Sequence, residues 1–128
     1  LKDIAQNKFN EMKEVYETVL RAQSKALDFV KSGITGKELD EVARNEIFFA
    51  GYGDNFGHGL GHGVGMEIHE YPNAAPAFDK IIEENTVITV EPGIYLPDKF
   101  GVRIEDFVVV KQNFFENITK CAKNLICI

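Results

Sequence analysis

Five glycines at alternate positions, Gly57, Gly59, Gly61, Gly63 and Gly65, constrain this chain more than any other feature. A helix would not carry glycine at this density, because each costs about 1 kcal/mol relative to alanine. In an extended segment all five fall on one face, and Phe56, His58, Leu60, His62, Val64 and Met66 fall on the other. A face without side chains admits another backbone or a ligand at close range. Strict alternation also excludes the dinucleotide fingerprint, in which glycines follow Gly-x-Gly-x-x-Gly. His58 and His62 have the spacing of the histidine pair on a zinc-peptidase helix, but that motif's glutamate is missing here.

The remaining chain supplies a frame for this segment. Apolar residues at intervals of three and four (Phe9, Met12, Tyr16, Val19, Leu20, Ala26, Leu27, Val30) predict a helix from about Asn7 to Ser32, capped by Gly33. Thr35 and Glu38 form a Thr-x-x-Glu capping box for a second helix, whose stripe is Leu39, Val42, Ala43, Ile47 and Phe48. Val87 to Val90 and Val102 to Val110 read as strands. Two helices followed by strands indicate an α+β unit, with two helices packed on an antiparallel sheet.

Composition removes several function classes. A length of 128 residues suits one domain or part of one, and 45% apolar with 27% charged residues is an ordinary globular mixture. The net charge of −6, with no basic stripe, argues against nucleic acid as a partner. No apolar run reaches bilayer length, so no membrane partner is expected. No secretory signal is visible, which sets the expectation of a cytoplasmic protein with Cys121 and Cys127 as reduced, packed thiols. The first residue is Leu1 rather than methionine, and a longer parent protein is expected.

The chemistry concentrates in few residues. All three histidines, His58, His62 and His69, lie within the glycine-rich stretch or just after it. Glu91 ends the apolar run Val87 to Val90 and precedes Pro92-Gly93, where a strand must turn. Glu105 lies within the predicted strand Val102 to Val110, on the same face as Arg103. Glutamate is a poor strand residue and is rarely buried unpaired. A salt bridge to Arg103 and hydrogen-bonded core imidazoles are the plain structural alternatives. Imidazole nitrogen with carboxylate oxygen is also the donor set for a divalent zinc, manganese, cobalt or iron ion.

The run from Gly57 to Pro72, Gly-His-Gly-Leu-Gly-His-Gly-Val-Gly-Met-Glu-Ile-His-Glu-Tyr-Pro, closely resembles the signature of Xaa-Pro dipeptidases (prolidases) and aminopeptidases P, the pita-bread metallopeptidases. Thr89 to Tyr95 (Thr-Val-Glu-Pro-Gly-Ile-Tyr) and Gly101 to Asp106 (Gly-Val-Arg-Ile-Glu-Asp) are similar to that family's next two motifs, in the same order. The resemblance implies a metal-dependent hydrolase acting beside proline, using two divalent ions (Mn, Co, Zn or Fe) and a peptide with proline after the scissile bond. It implies that His62, Glu91 and Glu105 are metal ligands, with Glu91 also shuttling a proton and Glu105 bridging both ions. It further implies that His69 hydrogen-bonds the scissile carbonyl, that His58 lines the pocket for the residue after the cut, and that Arg103 orients Glu105 or the substrate. Tyr95 is assigned to substrate binding on the same ground.

Two departures shape the expectation. The family's two aspartate ligands come from strands ahead of the first helix, where this chain offers only Asp3. Residues 1–128 therefore resemble the carboxyl-terminal half of the catalytic domain, half of a pita-bread fold. At most one weakly bound metal, little activity in isolation, and self-association into a homodimer through exposed apolar surface are expected. Asn73 stands where family members often carry an arginine, so strict dipeptide recognition is not implied. A methionine-aminopeptidase-like enzyme and a non-catalytic pita-bread binding module remain alternatives. The peptidase reading requires one imidazole and two carboxylates to converge from separate strands.

Overall fold

A computed structural model describes residues 2–128, with burial and side-chain interactions from Ala5 onward. The side chain of Asp3 therefore lies outside the described residues. Helix α1 spans Lys2–Phe29, starting and ending earlier than its apolar repeat predicts. It ends early because the Ser32 amide donates to the Lys111 carbonyl at 2.8 Å instead of continuing the helix. Gly33 (φ +92°) consequently serves the turn between helices rather than a cap. Its amide donates to the Ile82 carbonyl, pinning that turn to the chain preceding the third strand. The buried stripe of α1 includes Val15, Val19, Ala22 and Ala26, whereas Phe9 and Met12, assigned to the stripe by periodicity, are exposed.

Helix α2 spans Gly36–Phe49. Its capping box forms as read: the Thr35 hydroxyl accepts from the Glu38 amide at 3.1 Å, and Glu38 accepts from the Thr35 amide at 2.7 Å. These bonds satisfy two amides that a helix start leaves without partners. The bond from the Thr35 amide, and after it one donated by the Thr35 hydroxyl to Glu38 Oε2, lower the pKa of the Glu38 carboxyl. Leu39, Ala43 and Ile47 then face the core.

Seven strands follow: β1 Gly61–Gly63, β2 Glu70–Ala74, β3 Val87–Val90, β4 Gly93–Leu96, β5 Phe100–Arg103, β6 Asp106–Val110 and β7 Phe115–Asn117. They form an antiparallel five-stranded sheet in the order β2-β1-β3-β6-β7 and a separate β4-β5 ribbon. Ile88, Val90, Val108 and Val110 point from the large sheet into the core shared with both helices. The α+β architecture, two helices on an antiparallel sheet, is the one the sequence predicts.

Three sequence expectations are corrected. Phe56 to Met66 is not one continuous strand; only Gly61–Gly63 is, and Phe56 and Leu60 turn into the core instead of sharing a face with the histidines. Val102 to Val110 breaks into β5 and β6, so Glu105 lies between strands. Cys121 and Cys127 are exposed free thiols rather than packed ones, because the segment after β7 has no regular structure to bury them. Among the described residues no helix is long and apolar enough to cross a membrane.

Candidate metal centre

The loop that delivers the histidines is held from α2. Asp40 is fully buried and forms a two-pronged pair with Arg44, at 2.6 Å from Nε and 3.0 Å from Nη2. Arg44 also donates to the carbonyls of Phe56 (3.0 Å) and His58 (2.7 Å), and its guanidinium lies 4.3 Å over the Phe56 ring. Asp40 Oδ1 accepts from the Leu60 amide at 2.9 Å. Side chains of α2 thus take the backbone groups that a neighbouring strand would otherwise take, which is why residues 56–60 do not extend. Sequence patterning missed this clasp; the i, i+4 spacing of Asp40 and Arg44 was its only signal. Arg44→Lys keeps the charge but loses the planar fork. It is expected to cost about 2 kcal/mol in denaturant unfolding, because a single ammonium cannot replace bonds to one carboxylate and two carbonyls.

Beyond the clasp, the glycines admit close neighbours. A Cβ on Gly59 would stand 2.9 Å from the Ala74 carbonyl oxygen and from the Ala75 side chain. His62 on β1 comes close to Glu91, just after β3, with Nε2 and Oε1 3.1 Å apart. The His62 amide donates to the Thr89 hydroxyl at 3.0 Å, and that hydroxyl donates to Glu91 Oε1 at 2.9 Å. Thr89 is fully buried and is a second residue that motif reading passed over.

The tautomer of His62 follows from its other nitrogen. Nδ1 lies 2.9 Å from the Gly63 carbonyl, which can only accept, so Nδ1 carries a proton. In neutral imidazole the lone pair then sits on Nε2 and faces the Glu91 oxygen. Two acceptors facing at this range repel unless a proton or a metal ion stands between them. Donors each about 2.1 Å from one ion lie roughly 3.0–3.4 Å apart in octahedral or tetrahedral arrangement, and the observed separation falls in that range. The pair therefore fits a divalent cation.

Glu105 does not reach the same point directly. Arg103 Nε lies 3.7 Å from Glu91 Oε2 and 3.8 Å from Glu105 Oε2, so its guanidinium links the two carboxylates. Its pKa is raised, foremost by the Tyr95 hydroxyl and then by Glu91 and Glu105. Among the described residues, no three His, Cys, Asp or Glu side chains gather tightly enough to hold a metal by themselves. The expected convergence of three groups on one point is not formed by the described residues: His62 and Glu91 meet, and Glu105 is linked to Glu91 only through Arg103.

His69 is exposed, with its ring 4.2 Å from that of His62. His58 is fixed by two bonds: Nδ1 donates to the Gly59 carbonyl at 2.7 Å, and Nε2 meets the Tyr95 hydroxyl at 2.8 Å. Asn73 pairs with His62 across β1 and β2. Two adjoining open cavities, of about 500 and 490 Å³, share His62, His69, Glu91 and Arg103 on their walls. The first is completed in part by His58 and Asn73, the second by Glu105 and Phe107.

Known proteins share this arrangement of elements. Residues 4–112 match the metallopeptidase family M24. An Xaa-Pro dipeptidase of Pyrococcus horikoshii is 50% identical over 114 residues, which are 89% of this chain and 32% of that protein. The crystal structure of an X-Pro aminopeptidase from Thermotoga maritima superposes with a TM-score of 0.87 at 52% identity, over 89% of this chain and 32% of the other. That of a prolidase from Pyrococcus horikoshii gives 0.89 at 50% identity, over 91% and 34%. The chain spans about a third of the length of the curated relatives it matches.

Proposed function

The chain belongs to metallopeptidase family M24, and from that premise we propose that its parent protein is a metal-dependent peptidase that cuts peptide bonds next to proline. Relatives named Xaa-Pro dipeptidase and X-Pro aminopeptidase support the proline preference. The observation that carries the reading is the 3.1 Å separation of His62 Nε2 and a carboxylate oxygen of Glu91, which suits two donors on one divalent ion.

In this reading His62 and Glu91 would hold a divalent ion, with Glu105 as a further carboxylate donor linked to them through Arg103. Two aspartates from the other half of the catalytic domain, outside residues 1–128, complete the set. Manganese, cobalt, zinc or iron suits imidazole with carboxylate. Bound there, such an ion polarises the scissile carbonyl and makes water more acidic.

The chain's own groups do the rest. His69 stands at the rim beside His62 and donates a hydrogen bond where negative charge develops on the carbonyl oxygen. Glu91, held in place by Thr89, takes a proton from water and returns it to the leaving nitrogen. His58, locked between Gly59 and Tyr95, presents a rigid wall to the residue after the cut. Arg103 keeps Glu105 and Glu91 at fixed separation. Asn73 offers no counter-charge to a dipeptide's terminal carboxylate, so length preference is a separate question.

Turnover by the full-length protein tests the proposal. With manganese added, Ala-Pro or Ala-Pro-Ala is expected to be hydrolysed, the alanine-for-proline analogues to be spared, and a chelator to abolish activity. Release of amino-terminal methionine in place of Xaa-Pro cleavage would move the protein to another specificity. Silence on every peptide, with metal present, would make it a binding module.

A further inference from the structure

We infer that Gln23 is a positioning residue for the candidate metal centre, because its single side-chain amide ties together the two backbone crossings that carry Glu91 and Glu105. The inference rests on the metal-dependent reading above. The chain leaves the five-stranded sheet after Val90 and returns to it at Asp106, and these two residues are paired. In between it runs through the β4-β5 ribbon, whose first pair is Gly93 with Arg103. Residues 91–92 and 104–105 are thus the outward and return crossings between sheets. Each candidate carboxylate sits on one of them.

Gln23 stands on α1 and is fully buried. Its Nε2 donates to the Val90 carbonyl at 3.2 Å and to the Ile104 carbonyl at 3.1 Å. A primary amide has two N–H donors, and both are committed. One accepting carbonyl immediately precedes Glu91, and the other immediately precedes Glu105. A single planar NH2 group therefore sets the distance between the peptide planes from which both carboxylates emerge.

The other end of the amide shows that this is not ordinary packing. Gln23 Oε1 is buried and has no hydrogen-bond partner among the described residues. A buried acceptor without a donor is a net cost, and an apolar residue in this stripe beside Val19 and Ala26 would carry none. What the glutamine adds over methionine is the pair of bonds to the two crossings. Metal ligands need placement within about half an ångström, supplied by the groups behind them.

The rival account is that Gln23 merely satisfies two buried carbonyls. In the full-length protein Gln23→Met keeps the volume and removes both donors. Calorimetric titration of Mn²⁺ into the demetallated variant is expected to show binding weakened about 10–100-fold. Val19→Ala, one turn away on the same buried face, has no polar atom to lose; it is expected to lower the melting temperature and leave manganese affinity unchanged. The amide resonances of Glu91 and Glu105 share peptide bonds with the two carbonyls, and both are expected to shift in Gln23→Met and not in Val19→Ala. Wild-type manganese affinity in Gln23→Met, or an equal loss in Val19→Ala, overturns the inference. A wild-type protein that takes up no manganese overturns the metal reading instead; the amide resonances then decide the positioning role, and unshifted signals in Gln23→Met refute it.

Discussion

In the full-length protein Glu91→Gln is expected to lose at least about 10³-fold in kcat/KM, equivalent to about 4 kcal/mol of transition-state stabilisation, while its melting temperature holds or rises. The two halves of this expectation come from one contact. Glu91 Oε1 lies 3.1 Å from His62 Nε2, the ring nitrogen left to face it when Nδ1 donates to the Gly63 carbonyl. An amide nitrogen in place of that oxygen donates to Nε2 of the neutral ring, so the two side chains form a hydrogen-bonded pair. The Thr89 hydroxyl meets the same oxygen, Oε1, so that nitrogen faces it too and its second N–H donates to Thr89 Oγ1, while the amide oxygen takes the Oε2 place beside Arg103. His62 is therefore paired without any cation. The reason for a cation to enter is gone with it, and so is the base that moves the proton. Stability measured by thermal unfolding and metal content measured by elemental analysis should separate: folded protein, little metal. A variant that keeps both metal and turnover would show that Glu91 is no ligand. One that loses activity only in step with unfolding would reduce its role to packing.

How much of this was legible from sequence depends on where each residue's partners lie. The helices were legible because their signals are local: a capping box at Thr35 and Glu38, and apolar spacing along α2. Boundaries failed where distant bonds decide them, as at Ser32, whose amide turns to Lys111 on the far side of the chain. The candidate site was legible through Glu91, because a glutamate between an apolar run and Pro92-Gly93 has no packing reason to be there. Glu105 was legible as a residue but not as a place. Period-two patterning continues smoothly through Ile104 and Glu105, and nothing local announces that the chain changes sheets there. Thr89 gave no signal, and Asp40 and Arg44 none beyond their i, i+4 spacing, for a further reason. Each is an ordinary residue in its own segment and acquires a role only against another: Thr89 beside β1, Asp40 and Arg44 against the loop before it.

The alternating glycines, so prominent in the sequence, are not equivalent, and one substitution made at two positions should show it. Gly61→Ala is expected to destabilise the full-length protein by about 3 kcal/mol or more, a fall of roughly 6–12 °C in Tm. A Cβ there would drive into the Thr89 carbonyl oxygen, with the carbonyl carbon 2.7 Å away and the Thr89 hydroxyl at 3.0 Å. The obstacle is backbone of β3, a fully buried part of the sheet, and it cannot swing aside as a flexible side chain would. Relief requires β1 to move off β3, which stretches the bond from the His62 amide to Thr89 and with it the hold on Glu91. Activity should therefore fall even at temperatures where the variant stays folded. Gly57→Ala is the matched control. Nothing lies within 4 Å of the added carbon, and its backbone angle is open to any residue. The change should stay within about 0.5 kcal/mol, with a small gain from the stiffer unfolded chain. Unfolding of both variants side by side, by circular dichroism against temperature, reads the difference directly. Equal melting temperatures would mean that β1 and β3 are not in such close approach, and the geometry argued for His62 and Glu91 would lose its footing.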